Sequence, residues 1–155
     1  MYTKRWSMEK NKTIKKFNLS MVREKSYKYD EHVWNAHNAV TFLRRLKYDC
    51  KPVEIVGAMF LSACGEVIGI SEISVGTINS SLFNVRDFIT RALLCNAVSM
   101  IVWHNHPSGS IDPSDCDIKS TKLLEKACKL MQIRLLDHVI LGADKYYSFS
   151  DDGRL

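Results

Sequence analysis

Cysteine gives this sequence no framework. Its five thiols (Cys50, Cys64, Cys95, Cys116 and Cys128) are an odd number, and no two of them form a C-x-x-C pair. Neither a disulfide scaffold nor a cysteine-based zinc knuckle is therefore expected. The thiols are expected to be reduced, several of them serving as small core residues. No apolar run approaches the roughly 18 residues that a membrane-spanning helix needs, so no membrane partner is expected. The first 28 residues scatter charge and contain no apolar h-region, which argues against a secretory signal and for the cytoplasm. A Gly-rich phosphate loop and internal repeats are also missing.

What remains is an ordinary globular composition, 46% hydrophobic and 25% charged over 155 residues, the size of one domain. The net charge of +5 is unevenly spread. Residues 1–28 hold nine Lys/Arg against two Glu, whereas residues 29–155 hold thirteen against fifteen Asp/Glu. The sequence thus divides into a basic arm, 1–29, and a slightly acidic body, 30–155. Such an arm can bind nucleic acid through counterion release; a solvated tail is the plainer reading.

Periodicity organises the body. Asp30 is placed to cap a helix running to about Tyr48, with Val33, Ala36, Val40 and Leu43 at helical spacing and His37 expected as a packed core histidine. Beyond Pro52, Glu54 to Leu61 and Val67 to Ile73 read as two strands about the Cys64-Gly65 turn, an antiparallel hairpin. Gly76 and Asn79-Ser80-Ser81 mark a loop. Asn84 caps a helix to about Ala97, with Phe88, Ala92 and Cys95 facing inward. Met100 to Trp103 is a short β-favouring run, Ser114 opens a helix to about Met131, Ile133 to Leu141 is a strand, and Tyr146 to Phe149 adds another. The fold class is mixed α/β, a mainly antiparallel sheet flanked by helices.

The segment from His104 to Asp117 carries the chemistry. His104 and His106, two apart on extended backbone, point to one side and can reach one ion. His106 to Pro113 holds two prolines and a glycine and must be a loop. The first turn of the following helix can then offer Asp117 as a third ligand. Two nitrogens and one oxygen suit zinc and leave a fourth position for water, whose pKa the metal lowers to about 7. Ser114-Asp115-Cys116-Asp117 also fits a capping box, in which Ser114 and Asp117 only satisfy helix donors. Adjacent helical residues point about 100° apart, so Cys116 is not expected to share an ion with Asp117.

H-x-H, seven residues, then S-x-x-D matches the metal motif of the JAB/MPN (JAMM) metalloprotease family at His104, His106, Ser114 and Asp117. The HNHPSG run at 104–109, Pro113-Ser114, Leu135-Leu136-Asp137-His138, Gly76-Thr77 and Arg86 resemble its RadC-like branch. The resemblance runs from about Lys51 to the C-terminus. It implies a JAB/MPN (cytidine deaminase-like) architecture with one Zn²⁺ at the sheet's edge. It further implies Glu54 as the base that takes a proton from the attacking water, Ser114 as hydrogen-bond partner of the oxyanion, and Asp137 and His138 as residues that orient a ligand ring or form a surface pair.

Three departures accompany the likeness, the first being Val85-Arg86-Asp87 before the second helix where that branch has Pro-Arg-Glu. No counterpart of the helix-hairpin-helix region of full-length RadC-like proteins is expected in these residues, and Trp103 stands where that branch has a small residue, which is expected to narrow one wall of the site. Two functions follow as expectations. One is a zinc-dependent metallopeptidase or isopeptidase acting on a peptide or isopeptide substrate. The other is a DNA-associated protein of repair or recombination that binds nucleic acid through residues 1–28.

Overall fold

The computed structural model describes residues 32–76 and 83–155, together with 24–28 and residues 16, 18, 20 and 22. Most of the basic arm, Asp30 and the 79–81 loop lie outside the described residues.

The first helix, α1 (Ala36–Arg45), starts later than its apolar stripe suggests. Asn35 caps it, its side chain accepting the Asn38 amide, the usual remedy for the unpaired N–H groups of a first turn. Ala36, Ala39, Val40, Phe42 and Leu43 are buried, whereas His37 is exposed on the outer face, contrary to expectation. A histidine one residue after the buried Ala36 is turned about 100° away from it.

Strands β1 (Ile55–Leu61) and β2 (Val67–Val75) form the expected antiparallel hairpin. Helix α2 (Val85–Leu94) is capped by Asn84. It is followed by β3 (Ser99–Asn105), α3 (Asp115–Leu130), β4 (Arg134–Leu141) and β5 (Tyr146–Ser148). The five strands lie in the order β2-β1-β3-β4-β5, antiparallel throughout except for β3 beside β4. That one parallel pair is joined through α3, as a parallel pair requires a long crossover. The molecule is therefore a mixed α/β protein, a mainly antiparallel sheet flanked by helices.

The central strands β1 and β3 are buried along their whole length, and β1 throughout and β3 from Met100 to Trp103 are apolar on both faces. One face, with Met59, Ile101 and Trp103, packs against α1. The other, with Val56, Val102 and Met100, packs against Phe88 and Ala92 of α2 and Leu124 and Cys128 of α3. Trp103 belongs to the α1 side, its ring 4.2 Å from that of Tyr48. It walls the core and not the histidine site: alternation along β3 sends it opposite to His104. Its space comes from Gly57, where any Cβ would lie 2.3 Å from the indole. Of the five thiols only Cys128 is buried; Cys95 is half-buried and the other three are exposed.

Candidate metal centre

Strand register assembles this site. Val56 pairs with His104 across β1 and β3, and continuing the antiparallel ladder by two residues sets Glu54 opposite His106. Period-2 alternation then puts Glu54, Val56, His104 and His106 on one face. On the other side of β3, the parallel register pairs Val102 with His138 of β4, so the His138 ring joins the same face.

The outcome is a compact cluster over the C-terminal end of β3, a central strand rather than an outer one. His104 Nε2 and His106 Nε2 are 3.1 Å apart. Asp117 Oδ1 is 3.7 Å from His104 Nε2. Glu54, His104 and His106 form a group whose ligand atoms all lie within 4.8 Å of one another. Asp117 thus reaches the cluster through His104, while Glu54 stands near both rings.

The capping box and the site turn out to be one arrangement. Asp117 Oδ2 accepts from the Ser114 amide at 2.8 Å and the Ser114 hydroxyl at 2.6 Å, and Ser114 Oγ accepts the Asp117 amide at 3.2 Å. The other oxygen, Oδ1, is the one turned to His104. A single carboxylate therefore ends the helix with one oxygen and faces the imidazole with the second.

Hydrogen bonding fixes what His106 offers. Its Nδ1 is 3.0 Å from the Ser110 carbonyl, which can only accept, so Nδ1 carries a proton and a neutral ring leaves Nε2 bare. The loop that supplies that carbonyl is held close. The His106 amide bonds to the Leu141 carbonyl at 3.1 Å, and Gly142 lets the loop pass where a Cβ would sit 2.7 Å from the Gly109 carbonyl. His104, 1% exposed, has its pKa lowered to about 4 by burial, with the Asp117 charge opposing and His106 reinforcing that shift. Burial also holds His138 well below the usual imidazole range, reinforced by His104 and His106. Two ring nitrogens 3.1 Å apart are joined either by a proton on His104 Nε2 or by a metal ion.

The spacing suits a metal. Ligands 2.0–2.1 Å from a tetrahedral ion are about 3.3 Å from each other, and the observed 3.1 and 3.7 Å bracket that edge. The group whose ligand atoms all lie close enough to share one ion is Glu54, His104 and His106; Asp117 meets it at His104. Glu54 is half-buried, and its pKa is raised by burial and by the Asp117 charge against a lowering by His106, burial being the largest influence. A carboxyl shifted towards neutrality is suited to receive and return a proton.

Sequence reasoning missed two residues that build this geometry. Asn105, between the histidines, points to the opposite side. Its Oδ1 accepts the Ile55 amide at 2.9 Å, and its Nδ2 donates to the carbonyls of Val53 and Lys51 at 3.1 and 3.3 Å. The backbone on both sides of Glu54 is thereby pinned to β3. A fully buried Asn in an apolar strand was the available signal, since such an amide must find partners in the protein. Thr121 is the other, on the buried face of α3 against His138. Asp137 and His138 separate: both are buried, but only His138 touches the cluster, at 2.9 Å from His104 Nδ1. Cys116 lines the cleft without joining the metal-ligating group.

The cluster opens into a cleft of about 680 Å³. Val56, Phe83 and Pro107 give it apolar walls, four serines (108, 110, 114 and 120) line it with hydroxyls, and its charged lining is Glu54, Asp112 and Asp117. Among the described residues that line it there is no Lys or Arg.

A family model described as the RadC-like JAB domain matches residues 33–154. Similar proteins include a UPF0758 protein of Pseudomonas fluorescens, 43% identical over 105 residues, which cover 68% of this chain and 47% of that protein. A UPF0758 protein of Paraburkholderia phytofirmans is 38% identical over 119 residues, 77% of this chain and 46% of its own length. A third, from Pasteurella multocida, is 38% identical over 118 residues, 76% of this chain and 52% of its own. The chain spans about half the length of the curated relatives it matches.

Proposed function

Because this chain belongs to the RadC-like JAB domain family, we propose that it is a zinc-dependent hydrolase acting on an amide bond, a metallopeptidase or isopeptidase. The observation that carries the proposal is the gathering of Glu54, His104 and His106, whose ligand atoms all lie within 4.8 Å of one another, with Asp117 Oδ1 3.7 Å from His104 Nε2. His104, His106 and Asp117 would hold one zinc ion, which would supply a Lewis acid and a water of lowered pKa.

The chain's own groups do the rest. Glu54, its backbone anchored by Asn105, accepts the proton of the attacking water and returns it to the leaving amine. Burial raises its pKa and so makes the carboxylate a stronger base than an exposed one. Ser114 turns its hydroxyl proton from Asp117 Oδ2 towards the oxyanion of the tetrahedral species. His106 and Asp117 sit on opposite ends of the 107–114 loop, so packing of that loop against Gly142 keeps their spacing. The apolar and hydroxyl-lined walls suit an extended peptide.

The charge of the cleft supports an amide over a phosphodiester. The described lining offers no Lys or Arg to engage a phosphodiester backbone, and Asp112 adds a negative charge outside the proposed ligand set. A DNA-associated reading draws its support from the basic arm at residues 1–28 alone. The test is hydrolysis of a peptide library by zinc-loaded protein beside Glu54→Gln. Turnover is expected from the first and a loss of about 10²- to 10⁴-fold from the second, with zinc content equal in both. Zinc lost together with activity in Glu54→Gln would make Glu54 a ligand and overturn its role as base.

A further inference from the structure

Two buried side chains outside the ligand set connect its ends. Resting on the metal-centre reading, we infer that Thr121 and His138 are positioning residues that lock the His104 ring into the tautomer able to bind a metal.

Donor and acceptor roles carry the argument. Thr121 Oγ1 lies 2.6 Å from the Asp117 carbonyl and 2.6 Å from His138 Nδ1. The carbonyl only accepts, so the one hydroxyl proton goes there, and Oγ1 must accept from His138 Nδ1–H. His138 is fully buried among rings, stacked on Phe149 at 4.8 Å and 7° and facing Phe83 at 5.8 Å. Its ring is therefore neutral, with a bare Nε2. That nitrogen, 2.9 Å from His104 Nδ1, accepts a proton from it. His104 in turn carries its proton on Nδ1 and presents a lone pair from Nε2 to His106 and Asp117.

The circuit closes on itself. Asp117 gives its carbonyl to Thr121 at one end and its Oδ1 to the His104 environment at the other. Reversal of every bond would turn the Thr121 proton to His138 Nδ1 and leave Oγ1 and the Asp117 carbonyl oxygen 2.6 Å apart with no proton between them, two lone pairs in repulsion. If His138 carried its proton on Nε2, His104 would be driven to hold its own proton on Nε2, where it would exclude the ion. Partners of this kind are worth about 10- to 100-fold in metal affinity.

Thr121→Val keeps the shape and removes the hydroxyl; His138→Phe keeps the ring and its stacking and removes both nitrogens; Thr121→Ser keeps the hydroxyl. Long-range 1H–15N spectra of metal-free protein report the His104 tautomer, and chelator competition reports zinc affinity. The wild-type and Thr121→Ser proteins are expected to show the Nδ1–H form and equal affinity. Thr121→Val is expected to admit the Nε2–H form, and both it and His138→Phe to bind zinc about 10- to 100-fold more weakly. Undiminished affinity in folded Thr121→Val, or an Nε2–H tautomer in the wild type, overturns the inference. Should a variant not fold, the wild-type spectrum still decides. Failure of the wild type to take up zinc would instead remove the metal-centre reading, leaving the tautomer to be judged on the spectra.

Discussion

Asp137 and His138 are neighbours on β4, both buried, and they belong to opposite kinds of polar cluster. Asp137 faces a closed one. Its Oδ1 accepts from the His138 and Ser150 amides at 2.7 and 3.0 Å, and its Oδ2 from Ser148 Oγ at 2.6 Å. Each of its oxygens thus has a partner, and the cluster ties β4 to the turn after β5. His138 faces an open one, where two imidazole nitrogens lie 3.1 Å apart and a carboxylate oxygen 3.7 Å from one of them, both nitrogens being bare in the inferred tautomers. Buried polar groups are ordinarily satisfied. A cluster that satisfies itself holds a fold together, and a cluster short of positive charge waits for a ligand.

Substitutions that move metal and stability apart sharpen this contrast. Asp117→Ala removes a proposed ligand from the open cluster, and zinc affinity measured by chelator competition is expected to fall more than about 100-fold, beyond the loss typical of an outer partner. An undiminished affinity would transfer the third-ligand position to Glu54, which is close enough to take it.

Asp137→Ala strikes the closed cluster and leaves three donors unpaired. A loss of about 3 kcal/mol is expected, a drop in melting temperature of roughly 10 °C, with zinc stoichiometry intact. Loss of zinc at unchanged stability would invert the comparison.

Lowering the pH strains the open cluster of the metal-free protein. The folded pKa of His104, about 4, is below its ordinary 6.5. Between those values the unfolded chain binds more protons, so stability falls as pH falls. His104 alone accounts for about 2 kcal/mol from pH 6.5 to pH 5, and His138 adds to it in the same direction. Asp137 and Glu54, raised mainly by burial, act in the opposite sense with smaller shifts. Denaturant midpoints at the two pH values measure the balance; a rise on acidification would contradict it.

Ser114→Ala is the mildest case. Loss of the helix cap is expected to cost about 1 kcal/mol in a thermal melt, with zinc retained.

Much of the fold was legible because hydrophobic spacing and caps are local signals. Asn84 and Ser114 mark their helices within one residue, and the β1–β2 hairpin follows from two short apolar runs about a turn. The site was legible where its residues lie close in sequence: His104, His106 and Asp117 meet through one strand end and one helical turn. Glu54 came from resemblance, and its placement depends on a register between β1 and β3 that no local pattern encodes. Asn105 and Thr121 stayed hidden for the same reason, since their partners are 50 to 54 and 17 residues away. Trp103 and His37 misled in a simpler way. Each was read from its neighbours, and each side chain leaves its element in a direction fixed by strand or helix geometry.

Zinc content of protein prepared without chelator, beside the half-buried His106→Ala variant, tests the metal centre most directly. One zinc per folded wild-type chain and close to none in the variant is the expected result. Equal zinc in both, or none in either after incubation with excess metal, would contradict it.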